Sequence, residues 1–198
     1  MEGAYRLHSG PVRWDELFDD LDGQYDAAVQ AELADEVRDR TRREAALLSL
    51  ADRLASAVGA ALRLTVTGAG PLSGRLTAVG PDWLLLHECG GESLVPLAAV
   101  VGLSGAGARS RAPGGHGEVA RRLDLRWALR GLARQRAGVQ VVRVDGSVVA
   151  GTLDRVGADH LDVAEHPAGE PRRAGAVSRV QLIPLLAVAV VRSGPSPS

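Results

Sequence analysis

The stretch Gly74-Arg75-Leu76-Thr77-Ala78-Val79-Gly80-Pro81-Asp82-Trp83-Leu84, closed by Val95-Pro96-Leu97-Ala98-Ala99-Val100, decides the predicted fold because its pattern recurs later in the chain. Seventy-seven positions on stand Gly151-Thr152-Leu153-Asp154-Arg155-Val156-Gly157-Ala158-Asp159-His160-Leu161, closed by Ile183-Pro184-Leu185-Leu186-Ala187-Val188. Both copies read Gly-x-Leu-x-x-Val-Gly-x-Asp-x-Leu. Such a recurrence predicts an internal repeat, which has to be settled before any single element is assigned.

Each copy of the pattern lies among short apolar runs that alternate with polar residues and are separated by turn residues, which is typical of strands. The predicted strands are 62–66, 72–79, 83–87, 93–95 and 99–103 in the first half, and 139–144, 148–156, 161–164, 178–183 and 187–191 in the second. Helical spacing of apolar residues predicts one long helix over 24–58 and another over 119–137. Five short strands with tight turns favour a small barrel, one in each half.

The pattern resembles the Sm-like fold, and within it the bacterial Sm-like RNA chaperones. The resemblance implies an α+β protein in which an N-terminal helical arm precedes two helix-plus-five-strand small β-barrel (Sm-like/SH3-like) repeats, and it implies RNA as a partner. The chain departs from the family pattern where Gly80 and Gly157 replace an acidic residue. It departs again where Leu97-Ala98 and Leu185-Leu186 replace polar nucleotide contacts.

Composition changes along the chain and predicts its organisation. Residues 1–44 carry 12 acidic residues and 6 arginines, whereas residues 45–198 carry 12 and 17. A Gly/Ala/Ser/Arg/Pro stretch without apolar periodicity separates the two predicted barrels. The predicted organisation is an acidic helical arm at 1–44, a first barrel with its leading helix at 45–104, a flexible linker at 105–118, a second barrel with its leading helix at 119–192, and a disordered tail at 193–198.

The overall charge and the cysteine content exclude several classes of protein. The formal net charge is −1, so no global field favours nucleic acid or a membrane. All 23 cationic side chains are arginines, which we attribute first to a coding bias. Cys89 is the single cysteine and forms no intrachain disulfide. The chain shows no leader and no apolar run of membrane-spanning length, which predicts a cytoplasmic protein without a membrane partner.

The best nucleic-acid candidate is the arginine-rich helix predicted before the second barrel. Guanidinium groups along a helix neutralise phosphates and release counterions. Trp83 is a candidate for stacking on a base, and a buried contact between the barrels is its alternative role. A solvated helix face is the alternative for the arginines. The predicted nucleic-acid-binding residues are Arg121, Arg122, Arg126, Arg130, Arg134 and Trp83.

The acidic arm favours a second hypothesis, in which the protein is an interaction adaptor or scaffold. Large apolar residues at helical spacing among carboxylates form an amphipathic surface that fits a protein partner or a second copy. The alternative is a helix folded back over its own barrel. The predicted partner-binding residues are Trp14, Leu17, Phe18, Val29, Leu33 and Val37.

Nothing in the sequence indicates an enzyme. No Ser–His–Asp or Cys–His arrangement and no paired catalytic carboxylates can be deduced, so no catalytic residue is assigned. The spacing of His87 and Cys89 fits no common zinc pattern, and the glycines around Gly70 precede no helix that would bind a dinucleotide. We therefore expect no metal and no cofactor, and a regulatory protein that acts by binding RNA more than DNA.

Overall fold

The structure is a computed structural model, and it describes most of the chain beyond residue 29. The described residues are 30, 32–33, 35–40, 42–43, 45–107, 123–167 and 177–194. The chain divides into two compact units, Met1–Leu47 and Leu48–Ser198.

In the first unit, the described residues between 30 and 46 are helical and exposed. Ion pairs three residues apart support the helix, with 2.8 Å between Arg38 and Asp35 and 3.4 Å between Arg42 and Asp39. These residues lie partly in the predicted arm at 1–44, whose remaining residues the structure does not describe. The single helix predicted over 24–58 is wrong, because residues 47–49 are not helical.

A new helix, α1, begins after that break at Leu50–Ala55. Ser49 has an extended backbone (φ −77°, ψ 162°), and its hydroxyl accepts a hydrogen bond from the N–H of Asp52 at 3.1 Å. The carboxylate of Asp52 in turn accepts from the N–H of Ser49 at 3.1 Å. This reciprocal capping box satisfies two backbone donors and sets the start of the helix.

Ten strands make up most of the second unit, each at or close to a predicted position. They are β1 (Ala61–Val66), β2 (Gly70–Val79), β3 (Trp83–Glu88), β4 (Gly91–Pro96), β5 (Val100–Ser104), β6 (Gly138–Arg143), β7 (Val148–Val156), β8 (His160–Glu165), β9 (Arg179–Pro184) and β10 (Val188–Ser193). Single 3-10 turns, Leu97–Ala99 and Leu185–Ala187, follow β4 and β9. The predicted strands are confirmed.

The strands form one antiparallel sheet of ten strands in the order β5-β1-β2-β3-β4-β10-β6-β7-β8-β9. Strand β10 joins the strands of the two halves into one sheet, because it pairs with β6 along one edge and with β4 along the other. The prediction of two helix-plus-five-strand barrel repeats is therefore wrong. An open ten-stranded sheet is also not the architecture that the resemblance to Sm-like barrels implies.

The hydrophobic core also argues against two separate barrels. One buried cluster packs Leu54 of α1 and Leu76 of β2 together with Val142 and Val190, which come from the later half of the chain. A second buried cluster packs Leu129 with strands β6 to β8 and also takes in Trp83 and Leu94 from the earlier half. Each cluster draws side chains from both halves, so neither half buries its own apolar face alone.

Helix α2 spans Leu125–Gln135, which is shorter than the predicted 119–137. Residues 123–124 are not helical, and the carboxylate of Asp124 caps the helix by accepting from the N–H of Trp127 at 2.9 Å. At the other end Arg136 takes a left-handed conformation with φ 49°, which stops the helix.

Several predictions fall outside the described residues. These are the side chains of Trp14, Leu17, Phe18, Val29, Arg121 and Arg122, most of the linker at 105–118, and residues 195–198 of the tail.

Candidate nucleic-acid interface

Two consecutive residues before and at the start of β3 hold the N-terminal end of α2. The Oδ1 atom of Asp82 accepts a hydrogen bond from the N–H of Leu125 at 2.8 Å. The indole Nε1 of Trp83 donates to the carbonyl of Leu123, also at 2.8 Å. One side of the helix is buried through Leu125 and Leu129. These contacts fix which side of α2 faces solvent.

The position of Trp83 overturns its predicted role. The residue is 7% exposed and packs in the cluster that contains Leu129 and Leu161. Its indole N–H already donates to the carbonyl of Leu123. The prediction that Trp83 stacks on a base is therefore wrong, and the alternative reading as a buried contact is the one that the structure supports.

Carboxylates at the start of α2 have shifted pKa values. Burial raises the pKa of Asp82, and the nearby Asp124 carboxylate acts in the same direction, whereas the N–H of Leu125 opposes the shift. Burial would also raise the pKa of Asp124. Hydrogen bonds from the N–H of Trp127 and from the Arg126 guanidinium outweigh burial, and the pKa of Asp124 is lowered. Asp124 thus binds Arg126 as an ionised carboxylate.

Arg126 is the one predicted phosphate contact among the described residues that has a carboxylate partner. Its Nη2 lies 2.6 Å from Oδ2 of Asp124, and its Nε donates to the same oxygen at 2.8 Å. Its Nη1 lies 3.5 Å from the carbonyl of Ala158. Much of its charge is balanced locally, which weakens its case as a phosphate contact.

The solvent side of α2 combines an aromatic ring with cations. Trp127 is 45% exposed, and Arg130 and Arg134 are exposed at the third and seventh positions after it. Residues at this spacing share one face of a helix. Trp127 was not among the predicted nucleic-acid-binding residues. The helical spacing already separates it from the buried Leu125 and Leu129, so the signal was present in the sequence.

A cleft of about 840 Å³ lies beside the C-terminal half of α2 and beside strands β7, β8 and β9. Four arginines line it, together with two aspartates and four apolar residues. The lining residues are Arg130, Arg134, Arg136, Arg155, Asp154, Asp162, Ala133, Leu153, Val156 and Val180. Arg130 and Arg134 were predicted, whereas Arg136 and Arg155 come from the end of α2 and from β7 and were missed.

The cleft has an excess of positive charge. Its four guanidinium groups make no hydrogen bond or ion pair with any described residue, and all four residues are exposed. The Oδ1 atom of Asp162 lies 3.7 Å from Nε2 of His160, which gives that carboxylate its own cationic neighbour when the imidazole is protonated. A phosphate group is the natural counterion, because guanidinium donors match its oxygens in a bidentate geometry.

The remaining predicted site residues lie elsewhere or are not described. Leu33 and Val37 lie on the N-terminal helical segment and are 55% and 62% exposed. They belong to the first compact unit.

Across the described ranges, no three His, Cys, Asp or Glu side chains come together in a way that could hold a metal ion. Over the same ranges, none of the helices combines the length and the apolar character needed to cross a membrane. Comparison of the chain with protein-family models, with curated proteins and with solved structures finds no match.

Proposed function

We propose that this protein is a non-enzymatic module that binds single-stranded nucleic acid at α2 and at the adjacent arginine-lined cleft. The observation that carries the proposal is the solvent face of α2, where the exposed ring of Trp127 stands beside Arg130 and Arg134, which form no hydrogen bond or ion pair with any described residue. Regulation of RNA in the cytoplasm is the form of this activity that we test first.

The chemistry of the face suits a single strand better than a duplex. A base can stack on an exposed aromatic ring only when it is unstacked from its neighbours, and such stacking contributes about 1–3 kcal/mol per base. Arg130 and Arg134, with Arg136 and Arg155 in the cleft, supply guanidinium groups for the phosphates. Contacts of this kind do not depend on base sequence and weaken as the salt concentration rises.

The test is fluorescence anisotropy of labelled single-stranded RNA and DNA against the full-length protein over a salt series. We expect Arg130→Glu/Arg134→Glu to weaken binding at every sequence and to flatten the dependence on salt. Trp127→Ala is expected to lower affinity by about 1–3 kcal/mol, and Trp127→Phe by less, because phenylalanine keeps a ring that can stack.

Arg63→Glu is the matched control, because Arg63 is exposed on β1, at the far end of the sheet order from the cleft. It is compared with the single variant Arg134→Glu, which changes the net charge by the same amount and should also weaken binding. Equal losses in these two single variants would mean that only overall charge matters. Full affinity in the α2 double variant would show that α2 is not the binding interface.

A second candidate function rests on the exposed apolar pair Leu33 and Val37 of the N-terminal helical segment. Four residues apart on one helix, they form a short stripe that fits a protein partner or a second copy. Self-association that is lost in Leu33→Glu/Val37→Glu would support this adaptor role. Unchanged association would leave the stripe without a role in self-assembly.

A further inference from the structure

We propose that copies of this chain assemble head to tail, with β9 of one copy pairing antiparallel with β5 of the next. The expected register places Leu182 opposite Leu103 of the neighbouring copy. The inference stands on the strand edges of the sheet and does not rest on the proposed binding of nucleic acid.

The sheet ends in two edges that are open among the described residues. Within the described ranges, β5 pairs only with β1, and β9 pairs only with β8. Both edges expose large apolar side chains, since Val101 on β5 is 71% exposed and Leu182 and Val180 on β9 are 69% and 51% exposed. Open apolar edges of this kind are templates for pairing with another chain.

The chain itself contains a junction that shows which partner fits. Inside the sheet, β4 pairs with β10, with Leu94 opposite Val191 and Ser93 opposite Arg192. Leu94 is 4% exposed and Val191 is 1% exposed, and both belong to the second buried cluster. Leu94, which holds the place in β4 that Leu182 holds in β9, is thus covered at a junction of only three residue pairs.

Strand β5 matches β10 in its own sheet geometry. Leu103 lies opposite Leu64 of β1 just as Val191 lies opposite Val141 of β6. The register also shifts at the same place in both strands, so that Val101 and Ala189 are the residues passed over. Strand β10 pairs with a strand on each of its edges, whereas β5 pairs on one edge only among the described residues. The other edge of β5 is therefore the one that a strand of a second copy can pair with.

Strand β9 matches β4 in the same way. Leu182 lies opposite Asp162 of β8, two places before Pro184, and Leu94 lies opposite Leu85 of β3, two places before Pro96. Leu94 is covered by β10, whereas Leu182 is open. Applying the β4–β10 register to these edges pairs Leu103 with Leu182, Ser104 with Gln181, and Gly105 with Val180.

The two edges differ from each other, so the interface joins unlike surfaces. Each added copy then presents a fresh β5 edge or a fresh β9 edge, which allows growth into a ring or a filament. Val180 of β9 also lines the arginine cleft. A neighbouring β5 would therefore lie at the border of that cleft and would set the clefts of successive copies at a regular spacing.

The first test is sedimentation velocity of the full-length protein over a wide range of concentration. We expect species larger than the monomer, and an about tenfold or greater rise in the dissociation constant for Leu182→Lys, because an edge lysine opposes strand pairing. Val148→Lys is the control, since Val148 is 54% exposed on β7, whose two edges are both paired. A wild type that stays monomeric, or association equally sensitive to both variants, would overturn the proposal.

The second test measures the register by disulfide trapping in a Cys89→Ser background, because Cys89 is the only native thiol. Ser104→Cys/Gln181→Cys should form a covalent ladder on oxidation. Ser104→Cys/Arg179→Cys, displaced by two residues, should not, since the distance between diagonal partners exceeds the reach of a disulfide. A covalent dimer in either single-cysteine variant would show that like edges pair, which contradicts a head-to-tail interface.

The same samples separate this inference from the two candidate functions. Arg130→Glu/Arg134→Glu should assemble like the wild type, whatever its affinity for nucleic acid. If self-association disappears in Leu33→Glu/Val37→Glu and persists in Leu182→Lys, the helical segment holds the copies together and the strand-edge proposal fails.

Discussion

The indole Nε1 of Trp83 donates a hydrogen bond of 2.8 Å to the carbonyl of Leu123, which lies 40 positions further along the chain. Trp83→Phe keeps an aromatic ring but removes this donor and part of the buried volume. We expect a loss of about 1–3 kcal/mol in the free energy of unfolding. Urea unfolding measures it, with Trp127→Phe as the control, because an exposed tryptophan should change stability by no more than about 0.5 kcal/mol.

Gly80 and Gly157 hold matching places in the two motifs but face different neighbours. An added Cβ at Gly80 would collide with the buried indole of Trp83, and one at Gly157 would collide with the imidazole of His160. The imidazole is partly exposed and can move, whereas the indole cannot. Gly80→Ala should therefore cost about 1–3 kcal/mol, and Gly157→Ala clearly less. Equal shifts in thermal midpoint would contradict this reasoning.

A buried polar pair joins β7 to the residue after β8. The hydroxyl of Thr152 and Nε2 of His166 lie 2.8 Å apart, and the two residues are 1% and 4% exposed. Thr152→Val keeps the shape and leaves the imidazole nitrogen without this partner, which should cost about 1–3 kcal/mol. Thr77→Val, at an exposed threonine, is the control. Similar stability in both variants would show that the buried pair has no net value.

Asp124 should stabilise the fold in a manner that depends on pH. Its pKa lies below the ordinary 3.8, so the stability it contributes is present above that value and is lost as the pH falls through the lower folded-state pKa. Asp124→Asn removes the ion pair with Arg126, and we expect a cost of about 0.5–1 kcal/mol at pH 7. Unfolding measured against pH should show the two proteins converging in acid. A constant difference at every pH would argue against the ion pair as the cause.

The stability that Asp82 contributes is expected to depend on pH with the opposite sign. Its pKa is raised, so its contribution is fully present below 3.8 and is lost as the pH rises through the folded-state pKa. Asp82→Asn keeps an oxygen that can accept from the N–H of Leu125 but carries no charge. The stability of this variant relative to the wild type should therefore increase from acid to neutral pH. A relative stability that falls over that range would show that the charge is favourable at this position.

Local structure was largely predictable from the sequence. Alternation along residues such as Leu62, Leu64 and Val66 depends only on side chains pointing to opposite faces of a strand, and the structure confirms it in β1. The break at Ser49 could also have been found, because Ser49 and Asp52 have the spacing of a capping box. The continuous spacing of apolar residues through that point hid the signal.

The order in which the strands pair along the sheet could not be predicted from the sequence. The pattern of β10 shows that it is buried, and it does not show that β4 lies on one edge and β6 on the other. A strand offers identical backbone donors and acceptors on both edges, so its partners depend on the positions of distant segments. This is why the two predicted barrels were wrong although their ten strands were confirmed.

The candidate site was likewise predictable in part from the sequence. The sequence by itself determined the strands, the amphipathic helix and the arginines on it, because these follow from spacing along a few neighbouring residues. Only the tertiary structure decided that Trp83 is buried and that Arg136 and Arg155 share a cleft with Arg130 and Arg134. Those relations join residues far apart in the chain, and they exist only when burial of apolar surface and pairing of strand edges are satisfied together.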